Sequence, residues 1–109
     1  MNEIKSVITE ISNFFKKKPD YKVLHDDESV SVYYSNDSYP SISVKSYYLI
    51  GQEGFDVAFS FGDGQDLQLN FTSGSNGPVL SGQHSNQSLE TILNEVLLIT
   101  KSHIDYLRN

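Results

Sequence analysis

From Ile4 onward the apolar residues fall at Ile4, Val7, Ile8, Ile11, Phe14 and Phe15. This three-and-four spacing lines one face of a helix. Lys16, Lys17 and Lys18 suit the negative end of the helix dipole, and Pro19 pushes Lys18 out of the α region, so the helix is expected to stop there. A second stripe, Leu89, Ile92, Leu93, Val96, Leu97, Thr100, Ile104 and Leu107, predicts a closing helix capped by Asn86 or Ser88. Leu98 and Ile99 widen that stripe beyond one face.

Between the helices the period changes to two. Tyr21 to His25 reads as a strand, and Val30, Val32 and Tyr34 alternate with Ser31 and Tyr33 in its hairpin mate. After Ser35 to Pro40, Ile42, Val44, Tyr48 and Ile50 share one face of a longer strand, while Ser43, Lys45 and Tyr47 take the other. Ser46 interrupts the apolar face and marks a candidate bulge. Gly51-Gln52-Glu53-Gly54 turns the chain into Phe55, Val57, Phe59 and Phe61. Gly62-Asp63-Gly64-Gln65 turns it again into Leu67, Leu69 and Phe71. Residues 73–88 are dominated by Ser, Gly and Asn, and read as a long loop or as a short edge strand at Val79-Leu80 followed by a loop.

The expected fold is one α+β domain over residues 1–109: an N-terminal helix, an antiparallel meander of five strands, or six with Val79-Leu80, and a C-terminal helix. A sheet with one apolar face must bury it, so both helices should pack on that side. The opposite face is left with Ser31, Tyr33, Ser43, Lys45, Tyr47, Asp56, Ala58, Ser60, Gln68 and Asn70, too polar for a second core and open to water or a partner. An unpaired edge at Tyr21 to His25 or at Val79-Leu80 can recruit a second copy or a foreign strand.

At 109 residues with 38% apolar and 20% charged side chains, the chain is long enough for one core and too apolar to stay disordered. The absence of cysteine excludes disulfides, thiolate metal sites and a cysteine nucleophile, and points to a reducing compartment. No signal peptide is visible, and the longest aliphatic run, Val96 to Ile99, is far short of the ~20 residues that span a membrane. A cytoplasmic location is expected. The tripeptides at Asn36, Asn70 and Asn86 that match the glycosylation pattern are then coincidental.

Charge adds a functional clue. The formal net charge is −6, and residues 26–66 hold eight acids against the single base Lys45. Such a surface repels nucleic acid and steers a basic protein surface toward itself, although an acidic surface also serves solubility alone. The candidate partner-binding residues are Asp26, Asp27, Glu28, Asp56, Asp63 and Asp66, with Tyr33 and Tyr47 as aromatic anchors beside Lys45. Tyrosine is also an ordinary strand former, and Lys16-Lys17-Lys18 is more simply a solvated helix end than a basic patch.

Evidence for chemistry is thin. Asp63 and Asp66 lack the regular ligand array of a calcium loop and sit in good turn chemistry instead. His25, His84 and His103 stand at no metal-ligand spacing, and the serines around His84 form no nucleophile elbow. No catalytic residue, cofactor or metal is assigned, and a non-enzymatic binding role is expected.

A small, cysteine-free, acidic α+β domain of this kind resembles the immunity proteins with which bacteria neutralise their own contact-delivered or secreted toxins. The resemblance lies in architecture and charge over the whole chain, with no shared motif. It implies that the Asp26 to Asp66 region imitates a phosphate backbone and plugs the basic active site of a toxin domain. Two alternatives stand beside it. A small acidic secretion chaperone matches in size and charge, but such chaperones interrupt their strands with a helix. A small-ligand carrier would need a cavity where Phe59, Phe61, Leu69 and Phe71 predict a filled core.

Overall fold

The computed structural model describes residues 2–48, 53–62 and 64–108. Ile50, Gly51, Gln52 and Asp63, and the side chain of Leu107, lie outside the described residues. The element order is α1 (Asn2–Lys16), β1 (Tyr21–His25), β2 (Ser29–Tyr34), β3 (Ile42–Tyr48), β4 (Phe55–Phe61), β5 (Asp66–Gly74), β6 (Gly77–Ser81) and α2 (Leu89–Arg108), with one 3-10 turn at Gly82–His84. The strands form one antiparallel sheet in sequence order, and the helices pack on it.

Helix α1 ends two residues before Lys18. The Lys18 N–H reaches the Phe15 carbonyl at 3.0 Å in a tight final turn, and the Lys18 ammonium lies 4.5 Å from the centre of the Phe14 ring. Helix α2 starts as a Ser88-capped helix: the Ser88 hydroxyl accepts the Thr91 N–H at 3.1 Å, and its carbonyl accepts the Ile92 N–H at 3.2 Å.

The core lies between helices and sheet. Ile8, Ile11 and Phe15 of α1 and Ile92, Leu93 and Val96 of α2 meet Val30, Val32, Ile42, Val44, Val57, Phe59 and Leu69, each 1% exposed or less. Burying a side chain of this size contributes roughly 1.5–3 kcal/mol. Thr100 belongs to the same stripe because its hydroxyl donates to the Val96 carbonyl at 2.8 Å, which removes the cost of burying it.

Two expectations change. Ser46 makes no bulge: β3 pairs with β4 without interruption from Ile42–Phe61 to Tyr48–Phe55. Its hydroxyl instead donates to the Glu28 carbonyl at 2.8 Å. Tyr48, expected in the core, is 56% exposed at the last pair of β3, although its partner Phe55 is buried. Of the two readings of Val79-Leu80, the edge strand holds: β5 runs on to Gly74 and turns at Ser75-Asn76 to pair with β6, the sixth strand.

Candidate functional site

An antiparallel meander places alternate connections at opposite ends of the sheet. The β1–β2, β3–β4 and β5–β6 connections share one end, and the β2–β3 and β4–β5 connections share the other. The acids predicted to act together are therefore divided. Asp26, Asp27 and Glu28 form the β1–β2 turn, and Glu53 lies at that same end, just before β4. Asp66 opens β5 at the far end. Asp63 lies outside the described residues.

The β1–β2 turn is built around one carboxylate. Asp26 Oδ1 accepts the Glu28 N–H at 2.8 Å, the Ser29 N–H at 2.8 Å and the Ser29 hydroxyl at 3.0 Å. The Glu28 backbone N–H contributes most to holding the Asp26 carboxyl below its ordinary value of 3.8, with Ser29 adding to it. A turn organised this way keeps its shape without help from a partner. Asp27 and Glu28 then project from it into solvent. Asp27 stands 3.8 Å from the Lys5 ammonium of α1, an exposed pair that contributes little stability. Beside the turn, the Lys16 ammonium lies 3.1 Å from His25 Nε2, while His25 Nδ1 faces the Asp26 carbonyl at 3.3 Å.

On the sheet face away from the helices, the polar side chains line up in cross-strand rows. One row runs Tyr47, Asp56, Asn70 and Ser81, and its neighbour runs Ser29, Lys45, Ala58 and Gln68. Tyr47 is half exposed and Tyr33 partly buried, opposite Lys22. Asp56 departs from the expectation: it is 5% exposed, with Oδ2 accepting from the Gln68 amide at 2.6 Å and Oδ1 from the Asn70 amide at 2.5 Å. Its neighbours satisfy and cover it, so it organises the face rather than reaching out from it.

Ser29 and Ser46, which order the acidic turn, and Gln68 and Asn70, which clamp Asp56, were not among the predicted residues. The Asp-x-x-Ser spacing of Asp26 and Ser29 was legible as turn chemistry. The clamp depends on the β4–β5 register and had no local signal.

His84 Nδ1 lies 2.9 Å from Gln87 Oε1 in the loop before α2, and His103 of α2 lies near Gly62, just after β4. Among the described residues no three His, Asp or Glu side chains gather as a metal would need. The hydroxyls of Ser12 and Tyr21 are buried without a hydrogen-bond partner among the described residues. Burial first, then the neighbouring Tyr34, raises the Tyr21 phenol above its ordinary 10.0. No described helix is long and apolar enough to cross a membrane. Comparison with protein-family models finds no match, and comparisons with curated proteins and with solved structures find none either.

Proposed function

We propose that this chain is a non-enzymatic protein-binding module of the cytoplasm, an immunity protein that neutralises a cognate bacterial toxin domain through its acidic surface. The observation that carries the reading is the β1–β2 turn, where Asp26 is consumed in ordering the backbone so that Asp27 and Glu28 are held outward together. A preordered turn backbone presents its carboxylates to a basic surface with less conformational entropy left to lose. Tyr47 and Lys45 on the neighbouring sheet face supply an aromatic anchor and a hydrogen-bond donor to the rim. Asp66, at the far end of the sheet, would serve the same partner only if that partner spans the whole face.

The alternatives receive less support. The uninterrupted meander departs from the strand order of secretion chaperones. The side chains that fill the space between helices and sheet leave a carrier little room for a ligand.

The test is affinity capture with the full chain from cells that produce it, then binding of the captured domain to wild type and to a variant carrying Asp27→Lys and Glu28→Lys. Asp26 is left intact because its loss would disturb the turn itself. The expected result is a basic domain whose activity the chain suppresses, bound at least tenfold more weakly after charge reversal, with the difference shrinking at high salt. Equal binding by the variant would remove the turn from the interface. Recovery of a small molecule with no protein would end the binding-protein reading.

A further inference from the structure

Among the described residues Asp56 is the one charged side chain that is buried, and no cation stands beside it. Lys45, in the neighbouring cross-strand row, forms no ion pair with it. Taking a carboxylate out of water without a counter-charge costs stability. The other residues that β4 gives to this face are Ala58 and Ser60, which carry no such cost. Nor do its partners need it, because Gln68 and Asn70 are exposed and water can serve their amides.

What the carboxylate does is fix which way those amides face. A carboxylate only accepts, so the Gln68 and Asn70 nitrogens turn toward it, at 2.6 and 2.5 Å, and Gln68 Oε1 and Asn70 Oδ1 are carried to the other side. Neither oxygen takes a hydrogen bond from a described residue. Linked hydrogen bonds polarise one another, so an amide that donates to an anion accepts more strongly at its oxygen. The charge of Asp56 is thereby relayed to two acceptors in the exposed layer. Gly82 keeps one of them uncrowded, since a first side-chain carbon there would come within 3.3 Å of Asn70 Oδ1.

We propose that Asp56, Gln68 and Asn70 form a socket for an arginine side chain of a protein partner. The guanidinium supplies the positive charge that Asp56 lacks, and its planar fork of N–H donors suits two neighbouring acceptors better than an ammonium does. Tyr47, half exposed on the other side of Asp56 in the same row, receives the aliphatic stem. The socket also lies beside the acidic turn: Tyr47 follows Ser46, whose N–H and hydroxyl hold the Glu28 carbonyl at 3.2 and 2.8 Å. It therefore deepens the reading of a basic partner drawn to Asp27 and Glu28, by naming a side chain which that partner inserts. Its test uses no partner, so either reading can fail alone.

The full chain, labelled with nitrogen-15, is titrated by NMR with N-acetyl-arginine amide, N-acetyl-lysine amide and glucose. The arginine probe should give saturable shifts of the Gln68 and Asn70 side-chain amide signals, weakened by salt. The lysine probe should bind at least threefold more weakly, and glucose should leave the signals in place. Asp56→Asn keeps the shape but offers one acceptor and one donor, so one amide must turn over and present N–H outward; the response to arginine should be lost. Asp56→Leu removes the charge and leaves both amides to water, and it should lose the response while still melting cooperatively. Absence of saturable shifts at the two amides, equal binding of the lysine probe, or undiminished binding by either variant would each overturn the proposal. A response to glucose alone would overturn it in favour of a carbohydrate.

Discussion

Asp26 and Asp27 are neighbours with opposite fates. The first turns inward to three donors and the second outward to solvent. A carboxylate whose folded pKa is depressed adds stability that is complete above its unfolded value and is lost as pH falls through the folded one. Asp26→Ala should therefore melt below wild type at neutral pH, and the gap should narrow once the pH drops below 3.8, as thermal melts across an acid series would record. Gly54 is a second residue with no slack. Its φ is +92°, and a methyl group there would run into the Phe71 carbonyl, which is backbone and cannot swing aside. Gly54→Ala should cost about 2–3 kcal/mol in urea unfolding. Sequence spacing disclosed the Asp26 turn, because its partners are two and three residues away. It disclosed Gly54 only as a turn residue, because the obstacle comes from β5, seventeen positions downstream.

At the level of elements, periodicity was most informative where one face is buried and the other wet. The buried apolar positions of β2, β4 and β5 follow the predicted alternation, and Asp56 is buried against it only because Gln68 and Asn70 clamp it. Periodicity failed at Ser46 and Tyr48, which have core phase yet stay outside the buried cluster that holds their partners Val57 and Phe55, and it left β6 open between loop and edge strand because that strand pairs only through β5. The same distinction predicts mutational outcomes. Phe15 is fully buried, with its ring against Phe14 and Tyr21, so Phe15→Ala should cost ~3–5 kcal/mol. Leu98 widens the α2 stripe in sequence yet is 65% exposed, and Leu98→Ala should stay within about 0.5 kcal/mol. Ser88→Ala should cost ~1 kcal/mol through the lost cap. Chemical denaturation of the three variants side by side would check the ordering.

For the whole molecule, topology decides which charges act together. Composition showed that the meander is acidic, but whether the acids converge depends on strand direction. Their two groups stand at opposite ends of strands about 20 Å long, well beyond the ~8 Å screening length at physiological ionic strength. A basic partner docking at the β1–β2 turn should feel Asp27 and Glu28 and be nearly indifferent to Asp66→Asn, a contrast that the salt dependence of association rates would expose. The blunted edge at Pro78 reaches further than its own strand. Ordered polymers grow best where each unit offers an unbroken row of N–H and C=O groups at both edges. A strand joining β6 would lose one rung at Pro78 and keep the one at Leu80, which makes this edge a weaker template than an uninterrupted one.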